Sequence, residues 1–508
     1  MASVASVSPT GNPYIDGILV GTRWQGPLTY SFPDAIGDLG QNYGHAITGF
    51  AQLNSAQMAA TRYIIGDNDP LVSTANRFAY ASFTDVATLP ISLAAASEGP
   101  SDIPLFELTT LDGQNIPTAL VIEFPSTEQN IAEGDVGFGN GNPQYRLPLV
   151  GNFAWTTHIH EIGHAFGLAH GHDDGGPETF GVTIPTDREG FEFSVMSYAN
   201  YSNDFIENNQ PEPFGNPQTL MMLDIAALQT LYGANYAYNA TDTTYTWSPT
   251  TGEMFVNGVG QGRPGGDIQS GDDTNKIFLT TWDGGGEDTY DLSNYGLNTH
   301  LDLAPGGWSM FSQQQRAVVH LRPAQAGIDP FEVQVANGNV YNALTFNGDN
   351  RSLIENAIAG VGDDWIEGNV ASNELVGNGG SDTLNGRDGD DLLRGGEGAD
   401  TLFGDGRQGG PAFNGAIFTQ ITGGANANIQ NAIDLTPLLG RQFNSNVRDS
   451  DTNPHLSVDV FGNGNGQDFF RIDIANPGLV VFDIDFGSRN LNNPNQPNFD
   501  SLLALFNS

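Results

Sequence analysis

From Ala359 to Phe403 the chain repeats with a strict period of nine, which leaves little freedom for how it folds. The five units are AGVGDDWIE, GNVASNELV, GNGGSDTLN, GRDGDDLLR and GGEGADTLF. The sixth position holds Asp364, Asn373, Asp382, Asp391 and Asp400, and the eighth holds Ile366, Leu375, Leu384, Leu393 and Leu402. Glycines allow a tight turn with inward carbonyls, the aspartate adds a hard anionic oxygen, and the apolar residue suits a short strand facing a core. Successive turns of this kind are expected to stack as a parallel β-roll. Calcium would lie between turns, on Gly362, Asp364, Gly380, Asp382, Gly389, Asp391, Gly398 and Asp400. A flexible Gly/Asp linker has no reason to keep an apolar residue at every ninth place with an acid two places earlier.

A second pattern carries chemistry. His160 to His170 reads HEIGHAFGLAH. On a helix His160 and His164 lie one turn apart on one face, so two imidazole nitrogens can meet one metal with Glu161 beside it. Gly167 can take the left-handed conformation and stop the helix, turning the chain so that His170 supplies a third nitrogen. Three neutral imidazoles with an open fourth position suit zinc and an activated water, with Glu161 as general base. HExxH alone recurs by accident. With Gly167 and His170 added, the chance expectation in this chain falls to the order of 10⁻⁵.

Helical phase sorts the neighbours. Trp155, Ile159, Ile162 and Phe166 form one apolar stripe with His160 and His164 opposite, so the helix is expected to bury one face and offer the other. His158 falls about 140° from the midpoint of that pair and reads as a partly buried or surface histidine. His172 reads as a non-ligand, because three histidines already complete the site. His45, His300, His320 and His455 have no ligand-like company.

Met196, twenty-six residues beyond His170, lies in the run Ser194-Val195-Met196-Ser197-Tyr198. The long histidine motif followed by SVMSY resembles the metzincin endopeptidases, and within them the serralysin group of secreted bacterial proteases. Trp24-Gln25-Gly26, Tyr30 to Asp34, Gly49 to Ala60 and Gln218 to Gly233 are similar to serralysin catalytic domains too. The nonapeptides likewise resemble the calcium-binding repeats of RTX proteins. These resemblances imply that Met196 forms a hydrophobic turn beneath zinc and that Tyr198 is a switchable fifth ligand whose hydroxyl stabilises the oxyanion. They also imply that Asp283 and Asp288, in WDGGGEDTYD, bind calcium at the start of a C-terminal domain. One departure stands out: many serralysins place proline after the third histidine, where this chain has Gly171.

An α+β architecture is therefore expected: a metzincin catalytic domain over residues 1–238, then a calcium-binding parallel β-roll and β-sandwich over 239–410. The remainder, 411–508, reads as a partial all-β segment with strands at Leu456–Phe461, Asp468–Ile474, Leu479–Phe486 and Ser501–Phe506. That segment resembles a pre-peptidase C-terminal domain, and truncation is expected because the chain stops just after an apolar strand. A helix from Gln218 to Tyr232, ended by Gly233, should close the catalytic domain.

Charge and composition narrow the partners. With 17 basic and 59 acidic side chains the net charge is −42, and Lys276 is the single lysine. Such a surface repels nucleic acid and anionic lipid and attracts cations. No cysteine occurs, so metal ions or large cores must carry stability. The opening residues have neither a basic start nor an apolar run, hence no ordinary secretory signal, and no stretch suits membrane insertion. A secreted, monomeric zinc endopeptidase with Zn2+ and Ca2+ cofactors is expected, acting on protein or peptide substrates and exported by a one-step bacterial exporter. The rival reading is a calcium-dependent adhesin or surface-layer binding protein with a non-catalytic protease-like domain. An RTX lipase is disfavoured because no G-x-S-x-G elbow occurs.

Overall fold

The structure is a computed structural model that describes residues 2–40, 43–66, 82–94, 100–127, 132–172, 179–202, 211–265, 274–322 and 332–405. Beyond these it describes only the backbone of 417–418, 433–434 and 470–471. Apart from Phe470–Arg471, which pairs in parallel with Ile433–Asp434, the strands expected in the last hundred residues lie outside the described residues.

The chain is a mixed α+β protein with a helical and stranded N-terminal region and a repeat-rich β-strand region after it. The N-terminal sheet contains β1 (Leu28–Ser31), β2 (Ile91–Leu93), β3 (Ile103–Leu108), β4 (Ala119–Val121) and β5 (Val136–Gly139), in the order β4-β5-β3-β1-β2. All neighbours run parallel except β4, which is antiparallel to β5. Helices α1 (Ser55–Ile65), α2 (Phe153–Ala165) and α3 (Met222–Tyr232) share one core with this sheet. Every residue of β3 is buried, which explains its unbroken apolar run around one glutamate.

Two expectations about helices change. The last helix begins at Met222 rather than Gln218, because Gln218 and Thr219 form a bend whose side chains bond the segment around Lys276–Thr280. The Gln218 amide N–H donates to Phe278 O at 2.9 Å, and Asp224 then caps the helix by accepting from Met221 N at 2.8 Å. Second, α2 does not bury one face and offer the other. Thr156, His158, Glu161 and His164 are buried as fully as the apolar stripe, because β4, β5 and the 194–198 turn cover the side that helical phase alone would leave to solvent.

In the repeats, the period of nine becomes a pairing period of eighteen. Strands β6 (Leu279–Thr281) and β9 (Val340–Asn342) pair with each other. Strands β7 (Thr289–Asp291), β10 (Asn356–Ile358), β12 (Glu374–Gly379) and β14 (Leu392–Glu397) form one parallel run. Strands β8 (His300–Asp302), β11 (Trp365–Glu367), β13 (Thr383–Arg387) and β15 (Thr401–Asp405) form another. Register aligns Tyr290, Ala357, Leu375 and Leu393 in one column and Leu301, Ile366, Leu384 and Leu402 in the other. All eight are buried in a common cluster, so alternate repeats feed opposite walls of one interior.

Leu384→Ala should therefore lower the stability of this region by about 2–5 kcal/mol, the usual cost of deleting a buried leucine. Val370→Ala, at a half-exposed site, should change it by less than about 0.5 kcal/mol. Urea unfolding of the two variants compares them, and equal midpoints would contradict the columnar core.

Candidate metal centre

Local rules place the three histidines. Asn152 caps α2 by accepting from Trp155 N at 2.9 Å, and the helix ends as Gly167 takes φ +94°. Its last carbonyls are satisfied from outside, by the Trp24 indole on Ala165 O and the Tyr232 hydroxyl on Phe166 O, each at 2.8 Å. The chain then runs back along residues 18–20, with Val20 N on Gly167 O at 2.9 Å and Ala169 N on Ile18 O at 2.8 Å. That return brings His170 over the helix.

The Nε2 atoms of His160, His164 and His170 stand 3.0–3.1 Å from one another. His160 Nδ1 donates to Val195 O at 2.8 Å and His164 Nδ1 to Leu168 O at 2.7 Å. With those protons committed, both Nε2 atoms point lone pairs at a shared spot, as the ligands of a cation do. Their spacing approaches the roughly 3.3 Å edge of a tetrahedron with bonds of about 2.0 Å, as zinc prefers. Burial holds His160 down to about 4 and His170 to about 3, with His164 well below its usual range, so all three are neutral ligands near pH 7. Among the described residues this is the one such gathering of ligand atoms.

Glu161 is buried, and burial pushes its carboxyl up to about 8 against a stabilising hydrogen bond from the backbone of Val121 in β4. A carboxyl so placed is a stronger base than an exposed glutamate. Beneath the centre, Met196 is fully buried and its sulfur would stand 2.9 Å from a Cβ on Gly163, so α2 and the turn can approach only because residue 163 is glycine. Tyr198 is half exposed, its ring 4.4 Å from that of His170 and 5.9 Å from that of His160. The geometry thus gathers Glu161, Met196 and Tyr198 around the histidines.

His158 faces away, as phase requires, but is only 1% exposed: it stacks on Phe138 at 4.1 Å and bonds Ala154 O. His172 lies outside the triad, its ring 5.3 Å from that of His170. Several supporting residues escaped the sequence reading. Phe124 meets the His164 ring edge-on at 5.2 Å. Asp224, fully buried, accepts from Ser194 Oγ, Val195 N and Met221 N at 2.6–2.8 Å. Glu192 accepts from Asn337 N and the Tyr341 hydroxyl, joining the turn to the β-region. Only acidity at the start of α3 hinted at Asp224, and its partners thirty residues earlier left no local sign.

The residues expected to hold calcium stack along the repeats in separate columns. Asp364 N donates to Asp382 Oδ1 at 2.8 Å and Asp382 N to Asp400 Oδ1 at 3.1 Å, while Asn373 N donates to Asp391 Oδ1 at 2.9 Å. The other oxygens of Asp382 and Asp400 are buried without a hydrogen-bond donor, as a cation site requires. Gly380 and Gly398 take φ +122° and +138°, and a Cβ on either would collide with the carbonyl of Gly362 or Gly380 below it. Gly389 sits likewise over Ala371, so the second repeat lacks that glycine. Asp283 accepts from the Tyr245 hydroxyl at 2.6 Å and Asp288 from Thr243 N at 2.8 Å. Burial and the facing Asp283 push the Asp288 carboxyl up, and Glu355, which the repeat pattern did not reveal, accepts from Asp288 N at 2.8 Å.

Comparison with known proteins agrees with this geometry. The family model described as Peptidase M10 serralysin C terminal matches residues 234–317, and the RTX calcium-binding nonapeptide repeat matches 354–384 and 376–406. The metallopeptidase AprA of Pseudomonas marginalis is 30% identical over 356 residues, 68% of this chain and 61% of that protein. Serralysin G of Dickeya chrysanthemi is 30% identical over 354 residues, 68% and 60% of the two chains. Serralysin of Photorhabdus luminescens is 33% identical over 232 residues, 44% and 38%. The chain thus spans about three fifths of the length of the first two relatives. With the three-histidine centre, these matches identify a serralysin/M10-family metzincin-like zinc protease domain, followed by an RTX calcium-binding repeat region.

Proposed function

We propose that the chain is a secreted zinc-dependent endopeptidase that hydrolyses protein substrates. The convergence of three Nε2 atoms beside the buried Glu161 carries this reading. Bound there, zinc would polarise the scissile carbonyl and lower the pKa of a coordinated water towards about 7. Glu161 takes the proton of the attacking water and returns it to the leaving amine. The Tyr198 phenol, half exposed beside the triad, donates a hydrogen bond to the scissile carbonyl oxygen as negative charge gathers on it. Met196 supports the ligands from below.

The catalytic unit would occupy residues 1–238. Residues 239–410 would form a calcium-loaded parallel β-roll and sandwich, with Asp283, Asp288 and the repeat aspartates as ligands. Glu355 joins them in this reading because its carboxylate faces the same cluster. The separate segment 411–508 would be a partial β-sandwich. Export by a one-step bacterial exporter suits a repeat region whose carboxylates repel until calcium binds, so that folding follows passage. A net charge of −42 disfavours nucleic acid as a partner, and among the described residues no helix is long and apolar enough to cross a membrane.

Glu161→Ala should lower casein hydrolysis by about 10²–10⁴-fold while zinc content by elemental analysis stays unchanged. Equal, inert wild type and variant with zinc and calcium present would leave only a binding role. Tyr198→Phe should reduce kcat by roughly ten- to a hundredfold with KM nearly constant, since a hydrogen bond made in the transition state is lost. Calcium titration followed by circular dichroism should show β-structure gained in the range of about 10⁻⁴ to 10⁻³ M, as in extracellular calcium modules. Burial pushes Asp382 up to about 6 and Glu355 to about 7. Those groups hold protons that calcium must displace, so the titration midpoint should move to higher calcium as pH falls from 8 to 5.5.

A further inference from the structure

Next to the metal centre stands a group of side chains that the peptidase reading leaves unused. His172 lies two residues beyond the third ligand, and its ring centroid is 4.6 Å from that of Tyr198 and 5.3 Å from that of His170. Tyr198 and His170 are 4.4 Å apart, so the three rings form a closed triangle. On its other side His172 Nδ1 is 4.0 Å from Glu189 Oε1. That carboxylate accepts from Ser197 Oγ at 2.6 Å, one residue before Tyr198. The side chain of Glu189 is 12% exposed and that of His172 29%, so both are largely enclosed.

Gly171 makes the arrangement fit. A Cβ there would stand 2.6 Å from Glu189 Oε2 and 2.7 Å from Ile184 Cδ1, so any larger residue would displace the carboxylate. Gly171 N also donates to Met196 O at 3.4 Å, and Ile184 N to Gly171 O at 2.8 Å, pinning the exit loop to the turn that carries Tyr198. Glycine at 171, imidazole at 172 and carboxylate at 189 therefore form one packing unit.

We propose that His172, braced by Glu189, is a positioning residue that holds the Tyr198 ring against His170 and over the three-histidine centre. The proposal rests on the peptidase reading and adds a residue to it. A phenol on a half-exposed turn otherwise samples several rotamers, and only those that aim its hydroxyl at the scissile carbonyl help the reaction. Ring packing selects among them without touching the substrate.

Five proteins test it, each loaded with zinc and calcium: wild type, His172→Ala, His172→Phe, Tyr198→Phe and His172→Ala combined with Tyr198→Phe. His172→Ala should lower kcat on a peptide substrate by about three- to tenfold, the range an aromatic contact spans, with KM within about twofold and zinc content unchanged. His172→Phe should recover most of the loss, because the packing face returns. In the Tyr198→Phe background His172→Ala should cost nothing further. A readout independent of turnover is the 19F resonance of 3-fluorotyrosine placed at position 198, which should shift in His172→Ala and keep its wild-type position in His172→Phe.

An unchanged kcat with an unmoved resonance, or an equal loss in both tyrosine backgrounds, overturns the proposal. Loss of zinc from His172→Ala overturns it too, since His172 would then be a ligand. Should Glu161→Ala retain full activity, the peptidase reading fails by itself while the 19F comparison still decides whether His172 orders Tyr198.

Discussion

One buried carboxylate holds the metal centre in register with the rest of the fold. Asp224 has no exposure to solvent, and burial lifts its carboxyl to about 6 although Ser194, Val195, Met221 and Met196 all favour its charge through hydrogen bonds. An uncompensated charge there would be costly, so the four donors are confined to the arrangement that satisfies it. Val195 N bonds Asp224 while Val195 O receives the proton of His160 Nδ1, so a single residue transmits the helix cap to a metal ligand. The start of α3, the turn through Met196 and the tautomer of His160 are thus set together.

Physical range explains what was legible beforehand. His160, Glu161, His164, Gly167 and His170 span eleven residues and obey local helical geometry, so phase and glycine conformation place them without a fold in view. The nonapeptides are equally local: each unit repeats its own turn, and stacking multiplies the pattern into columns such as Leu301, Ile366, Leu384 and Leu402. Asp224, Glu192 and Glu355 act through partners far along the chain, and no periodicity marks them. The misplaced start of α3 has the same origin, because side-chain bonds from Gln218 and Thr219 to distant residues overrode their helical promise. Phase also separated His158 from the ligands correctly, yet it could not show that β4 and β5 cover the remaining side of α2.

The two regions are not independent bodies joined by a tether. Glu192, two residues before Ser194, accepts hydrogen bonds from Asn337 N and the Tyr341 hydroxyl, and Tyr341 lies in β9. That strand pairs with β6, which leads directly into Trp282 and Asp283. Tyr290, whose backbone follows Asp288 and Thr289, donates to Asn342 in β9 at 2.9 Å. A continuous set of strand pairs and buried hydrogen bonds therefore runs from the Asp283 and Asp288 cluster to the turn beneath the histidines. The acidic cluster and the metal centre are thus linked by packed structure rather than by distance-spanning charge.

Charge gives that coupling its direction. Repeat aspartates in successive turns bond one another through backbone N–H groups, which fixes their spacing but leaves like charges stacked. Strands of three to six residues with one inward apolar side chain per repeat bury little surface against that repulsion. Cations that neutralise the carboxylates would favour the columnar core, whereas the N-terminal sheet and helices share a larger apolar cluster with Phe278, Trp282 and Tyr341 of the β-region. The larger core is the one that positions Glu161 and the histidines. The β-region abuts it through Glu192, so the strands that lead to the acidic clusters are held against the turn that completes the site.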